Sequence, residues 1–315
     1  MTNSTHHIII GAGATGTATA LHLADLGHPV RMISRSGTGP QHDTIELVAA
    51  DAADRHDLRR LTTDASVIYN CANPPYHRWV TDWPPIADSL LAAAEASDAI
   101  LVTLSNLYGY AAPTAPMVET DPLDPPSIKG GVRAKMWHDA LTAYEAGRVR
   151  VVEARASDFI GPGVGASGHM GDRIVPRLLA GKSVSVIGRA DVDHSWTAID
   201  DVARTLVTLG LDRRAWGHAW HVPTVAPLSQ EALIHRLCET AGVELAKVKT
   251  LPAVALTLAG AVSASIRELK EVAYQFENPF VIDSSATVAT FGLEPTPLDE
   301  TLRATINYYR QPAAA

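Results

Sequence analysis

His7-Ile8-Ile9-Ile10-Gly11-Ala12-Gly13-Ala14-Thr15-Gly16 decides the fold of this chain. An unbroken apolar run ends in G-x-G-x-x-G, and a segment of helical composition, Thr17 to Leu26, follows at once. Glycines at these spacings let a backbone turn tightly and approach a pyrophosphate, whose charge then meets unpaired N–H groups at a helix N-terminus. Gly11, Gly13, Ala14, Thr15 and Gly16 are therefore expected to form a dinucleotide cradle. A carboxylate on the adenosine ribose would mark NAD, yet the next apolar run, Pro29 to Ser36, contains no acid. Arg35 stands where a guanidinium could grip a 2′-phosphate, with Ser34 and Ser36 as hydroxyl donors, which favours NADP and leaves NAD open.

Outward from that motif, apolar runs recur at Val30–Ile33, Ile45–Val48, Val67–Tyr69, Ile100–Leu104 and Val149–Val152, separated for the most part by Ala/Leu-rich segments of helical length. Strands that read as continuous Ile/Val/Leu runs are buried on both faces, as in a parallel sheet covered by helices. The fold expected is α/β, a Rossmann-type doubly wound parallel sheet. Ligands of such sheets bind outside the carboxyl ends of the strands. Asp51 and Ala52 after the third run, and Cys71, Ala72 and Asn73 after the fourth, are thus expected to line the dinucleotide. Pro74-Pro75, Pro84-Pro85 and Pro122 to Pro126 suggest long loops after the fourth and fifth strands.

Past Gly161 the pattern turns mixed. Short strands are expected near Ser183–Ile187, His194–Thr197 and Trp220–Val222, and helices at Asp200–Gly210, Gln230–Ala241, Val254–Val272 and Leu298–Tyr309. Residues 1–160 read as the dinucleotide-binding core and 161–315 as a smaller α+β substrate lobe, interleaved with the core because no clean linker divides them.

Composition excludes several classes. The 315 residues are 46% hydrophobic and 19% charged, within the globular range. A net charge of −8 argues against nucleic acid or an anionic membrane as partner. Two cysteines, Cys71 and Cys238, lie outside any ligand spacing, so neither a disulfide framework nor a metal site is expected, and a cytoplasmic setting fits. Leu251–Ile266, at 16 residues, is short of a membrane span.

Further segments, S-N-L-Y-G at Ser105–Gly109, E-T-D-P-L-D-P at Glu119–Pro125, D-F-I-G-P-G at Asp158–Gly163 and H-S-W-T-A-I-D-D-V at His194–Val202, accompany the glycine motif and Asp51. Together they make the chain resemble the extended short-chain dehydrogenase/reductases, the NAD(P)-dependent epimerase/dehydratase type, over nearly its whole length. The resemblance departs at Thr19, where a third glycine of a shifted pattern would stand.

The resemblance implies a Ser/Thr after the fifth strand, matched by Ser105 or, as second choice, Thr103. It also implies a Tyr-x-x-x-Lys that passes a proton and binds the nicotinamide ribose. That motif is missing: Lys129 falls at the tyrosine position and Arg133 at the lysine position, with Gly131 and Lys135 as an alternative register and Tyr144–Arg148 too close to the next strand. Arg133 can keep the charge and the ribose hydrogen bonds but cannot exchange protons near neutrality. Lys129 is then the expected acid–base group, with Tyr108 and Tyr110 as substitute phenols.

Substrate contacts are expected from Tyr76, His77 and Trp79, from the glycine-rich run Gly161–His169 including His169, and from Arg189, His194 and Trp196. The implied activity is an NADP-dependent oxidoreductase or epimerase/dehydratase-like enzyme on a small carbonyl or hydroxyl substrate, without metal. A nucleotide-sensing protein and a non-redox isomerase or cyclase stay open, as does a homodimer.

Overall fold

The computed structural model describes residues 6–113, 115–165, 168–251 and 271–311. In chain order the elements are β1 (His6–Ile10), α1 (Ala14–Asp25), β2 (Val30–Ser34), β3 (Ile45–Ala49), α2 (Arg55–Leu61), β4 (Ala65–Asn70), α3 (Trp79–Ser97), β5 (Ile100–Ser105), α4 (Ile128–Glu145) and β6 (Arg150–Arg155). They continue as β7 (Asp158–Ile160), α5 (Val175–Leu179), β8 (Val184–Ile187), β9 (Asp193–His194), β10 (Trp196–Ala198), α6 (Ile199–Leu211), β11 (Ala219–His221), β12 (Leu228–Ser229), α7 (Gln230–Ala241), β13 (Val248–Leu251), α8 (Ser285–Phe291) and α9 (Leu298–Arg310).

Seven strands form one sheet in the order β11-β6-β5-β4-β1-β2-β3, every pair parallel. The doubly wound Rossmann architecture is the one the apolar runs implied. The reason they are unbroken is visible in β1. Ile9 packs on one face with Ala20 and Leu23 of α1 and with Val202 and Leu206 of α6. Its neighbours Ile8 and Ile10 pack on the other, with Leu90 and Ala93 of α3 and Ala140 and Ala143 of α4. A strand alternates sides, so burial on both makes every position apolar. The seventh strand, β11, comes from the second half of the chain and pairs Trp220 with Ala154 of β6.

The C-terminal lobe has its own core, in which Val184, Val186 and Ile187 of β8 meet Leu233, Ile234 and Leu237 of α7 and Leu302 and Ile306 of α9. Its strands pair as β8 with β13, β9 with β12, and β7 with β10. The helix expected over Val254–Val272 lies outside the described residues except for Glu271 and Val272. Among the described residues, no helix is long and apolar enough to cross a membrane.

One expectation is overturned. Pro84-Pro85 do not open a loop but lie inside α3. They fall in its second turn and leave the carbonyls of Val80 and Thr81 without helical donors. The turn holds because Trp79 and Trp83, four residues apart, are both buried, so tertiary packing overrides the local preference.

Candidate functional site

The cradle is built by three glycines with three different duties. Gly11 has φ +105°, and a Cβ there would come within 2.7 Å of the Cys71 carbonyl oxygen and 2.9 Å of the Ala72 nitrogen. A Cβ on Gly16 would land on the Gly11 carbonyl oxygen, while one on Gly13 would meet nothing within 4 Å. Gly11 and Gly16 thus let β1, β4 and α1 close on one another, and Gly13 keeps space open in front of the helix. Gly13 caps α1 with no side-chain bond to the first-turn N–H groups, and no acid stands in that turn. Those N–H groups have no acceptor inside the helix. Open space before them is the arrangement an anionic pyrophosphate requires. Thr19, where the resemblance would have a glycine, is buried and donates to the Thr15 carbonyl at 2.7 Å.

A cleft of about 180 Å³ runs from Gly13, Ala14 and Thr15 past Cys71, Ala72 and Asn73 to Ser105, Tyr108 and Arg133. The Ser127 hydroxyl caps α4 by accepting from the Gly130 N–H at 3.0 Å, which starts the helix at Ile128. Lys129 and Arg133 consequently share a face, one turn apart. Arg133 is 6% exposed, its guanidinium 4.8 Å from the Trp79 ring and 4.3 Å from the Trp83 ring. One Nη donates to the Leu104 carbonyl at 3.4 Å, and Nε has no hydrogen-bond partner among the described residues. Burial lowers the group to about 10, so it stays cationic at neutral pH. An unsatisfied buried N–H in a cleft wall fits a ligand oxygen, and with the open cradle it makes these residues suited to a dinucleotide.

Opposite Arg133, the Tyr108 and Tyr76 hydroxyls are 2.8 Å apart. Burial pushes both phenols above their ordinary value, Tyr108 far above it, and each is pushed further by the nearby Asp158 charge. They remain protonated through the neutral range. Asp158, also in the wall, accepts from His194 Nε2 at 2.8 Å and lies 3.8 Å from His169 Nε2. Burial raises its carboxyl, but the two imidazoles outweigh this and hold it below the usual range. His169, edge-on to Phe276, is lowered by burial against the opposing pull of Asp158. Among the described residues of the wall, Arg133 and Asp158 carry the charges.

Lys129 is not where the resemblance implied. It is 2% exposed and does not line the cleft; its Nζ sits 5.9 Å from the Tyr76 ring centre and donates to Glu271 Oε2 at 2.6 Å. The Lys129 backbone N–H donates to the other Glu271 oxygen at 2.9 Å. Burial pushes the Glu271 carboxyl up, but these bonds bring it below its ordinary 4.5. The lysine therefore fastens the start of α4 to Glu271. A depressed carboxyl stabilises the fold fully above the unfolded value, and the contribution disappears as pH falls through the lower native value. Lys129→Met should cost about 1 to 3 kcal/mol in urea unfolding at pH 7, and the cost should shrink below about pH 4. An unchanged unfolding midpoint at pH 7 would contradict this.

The other expected residues divide clearly. Ser105 and Tyr76 join the cleft wall, as does Trp79. Arg35 and Ser36 lie exposed beyond β2, beside Asp51 and Ala52, where the Ala50 N–H bonds the Ser34 carbonyl at 3.0 Å; all four are outside the cleft wall. Trp196 does not contact the cleft: it is 1% exposed in the lobe core and donates to the Leu228 carbonyl at 2.8 Å, so its role is packing. Tyr110 is likewise turned away, bonded to His221 at 2.7 Å and to Arg155 at 2.7 Å. Arg189 is exposed and paired with Asp191. Ala166 and Ser167 of the glycine-rich run lie outside the described residues. Asp158 opens the D-F-I-G-P-G segment, a signal for its place but not for a role; Trp83 has a signal in the four-residue spacing from Trp79, and Gln275 has none.

The family model of the NAD dependent epimerase/dehydratase family matches residues 8–219. No curated protein matches the chain by sequence. Solved structures share its fold. One is a UDP-glucuronic acid 4-epimerase from Bacillus cereus, in complex with UDP-glucuronic acid and NAD, at 19% identity, covering 97% of this chain and 99% of that one, TM-score 0.78. Another is an epimerase from Methanothermobacter thermautotrophicus at 16% identity, covering 97% and 92%, TM-score 0.81. A third is the Thermus thermophilus UDP-glucose 4-epimerase with NAD, at 17% identity, covering 97% and 99%, TM-score 0.78.

Proposed function

The chain belongs to the NAD dependent epimerase/dehydratase family, and from that premise we propose that it is an enzyme binding NADP(H) in this cleft and acting on a small carbonyl or hydroxyl substrate. The observation that carries the reading is one continuous wall. It holds an open helix N-terminus at Gly13 to Thr15, a buried guanidinium with an unsatisfied N–H, and a hydrogen-bonded phenol pair. The bound dinucleotide supplies a hydride donor or acceptor. Everything else falls to the chain.

The first turn of α1 receives the pyrophosphate, and Arg133 takes the ribose oxygens of the nicotinamide end. Ser105, 4% exposed in the wall, orients the substrate oxygen. Tyr108, kept protonated by burial, gives its proton to a carbonyl oxygen gaining negative charge, and Tyr76 reprotonates it through the 2.8 Å bond. Phenols held above their ordinary value stay protonated at neutral pH, so the proton passes only as the arriving hydride makes the carbonyl oxygen strongly basic, and the reverse reaction needs a phenolate that is scarce there. The reductive rate should be flat between about pH 6 and 9, and the oxidative rate should rise with pH.

NADP is preferred on the strength of Arg35. A 2′-phosphate deprived of its guanidinium loses about 1.5 to 3 kcal/mol, so Arg35→Ala should weaken NADPH by roughly 10- to 100-fold and leave NADH unchanged. Calorimetric titration of both nucleotides against both proteins checks this, and equal affinity of the wild type for the two would defeat the NADP assignment. The enzyme reading itself is tested by following both NADPH consumption and the formation of isomerised or dehydrated product over a panel of small aldehydes, ketones and sugars, because an epimerase or dehydratase returns its hydride to the substrate. Tight nucleotide binding with no turnover on any of them would overturn it.

A further inference from the structure

We propose that Trp83, which does not line the cleft, is a positioning residue that fixes Arg133 for the dinucleotide. The inference rests on the reading above, in which Arg133 meets the ribose. A long guanidinium side chain has several rotatable bonds, and a ligand that needs it in one place must immobilise it. Here that has been done in advance, and by carbon. The guanidinium sits in the corner between two indoles whose planes meet at 80° with centres 6.2 Å apart. Trp83 is nearer, at 4.3 Å from its ring centre, and is fully buried.

Polar anchors on Arg133 are few. Among the described residues its hydrogen bond is the long one to the Leu104 carbonyl, 3.4 Å, and Nε has none. A cation so placed is held by ring faces and keeps its N–H groups for a ligand. Trp79 is anchored in its turn, donating to the Pro74 carbonyl at 2.9 Å and stacking on Tyr76 at 4.9 Å, whereas Trp83 Nε1 has no hydrogen-bond partner among the described residues and its ring is held by packing. A planar guanidinium can occupy such a corner, whereas an ammonium has no face to stack. The aromatic corner is thus the counterpart of having arginine where the resemblance implied lysine.

The test is a double-mutant cycle read as NADPH and NADH dissociation constants by calorimetry, on the full chain, with circular dichroism and melting of each variant. Trp83→Leu should weaken binding about tenfold, and Trp83→Phe, which keeps a ring face, should stay within about threefold of wild type. In an Arg133→Met background, Trp83→Leu should add less than about twofold, because its effect passes through the guanidinium. Equal losses in both backgrounds would mean a general packing role and overturn the proposal. If Trp83→Leu does not fold, Arg133→Lys decides. A loss of about tenfold supports the corner, and wild-type affinity refutes it. Failure of the wild type to bind either nucleotide would instead refute the dinucleotide reading, and the proposal with it.

Discussion

Gly13→Val should yield a protein with native circular dichroism and melting behaviour that binds neither NADPH nor NADH. The glycine has φ −76°, which any residue adopts, and its missing Cβ points into open space, so a side chain there strains nothing. That same space lies before the unpaired N–H groups of α1, and a branched side chain would stand between them and the phosphates. Loss of affinity by a factor of about 10³ or more is expected, since the pyrophosphate contacts and the close backbone approach go together. Gly16→Val should behave in the opposite way. Its Cβ would fall on the Gly11 carbonyl oxygen, so α1 could not dock on β1 and soluble folded protein should not be recovered. Unchanged nucleotide affinity in a folded Gly13→Val, or a stable Gly16→Val, would show that the cradle does not work this way.

Tyr108→Phe should lower turnover on a substrate found in the panel by about 10² to 10⁴, with nucleotide dissociation constants within about twofold of wild type. The phenyl ring keeps its place against Trp79, 6.0 Å between centres, and loses the oxygen alone. Tyr76→Phe should cost less, because it removes the hydroxyl that restores the proton and leaves the donor in the wall. Lys129→Met supplies the contrast. The ammonium lies outside the wall and is taken up by Glu271, so this variant should lose stability while keeping most of its rate. A Tyr108→Phe enzyme as fast as wild type, or a Lys129→Met enzyme slowed as severely as Tyr108→Phe was expected to be, would return the proton to the lysine.

Much of the frame was legible because it rests on local chemistry. The triple isoleucine before Gly11 announces a strand buried on both faces, and the six strands expected in the first half start within two residues of their observed starts, although β6 runs three residues past its expected end and His194–Thr197 is divided between β9 and β10. That Lys129 and Arg133 share a helical face is local too, since it depends only on where Ser127 starts a helix. What sequence could not give is which groups meet across the fold. Tyr76 and Tyr108 are 32 residues apart and become one device only because the turns after β4 and β5 face each other. Lys129 was read as chemistry for want of its partner, since Glu271 lies 142 residues away. Trp196, in a motif implying substrate, goes to the lobe core because no local rule distinguishes an indole aimed at a ligand from one aimed at leucines. Pro84-Pro85 misled for the same reason: burial of Trp79 and Trp83 outweighs two missing backbone donors.

The edge strand β11 has a consequence for how the protein is made. Until Ala219–His221 leave the ribosome, the edge of β6 that faces away from β5 is unpaired, and α1 lacks the cover of α6. Synthesis at roughly 5 to 20 residues per second leaves the nascent sheet in that state for several seconds. An apolar strand edge exposed for so long is a template for pairing with another nascent chain. The charges on β6 act as guards at that stage: Arg150, Glu153 and Arg155 interrupt an otherwise apolar run, and a neighbouring strand seeking to add there would have to accommodate them. Genes truncated near residue 160 should accordingly give aggregates and not a nucleotide-binding half, however complete the glycine motif they encode.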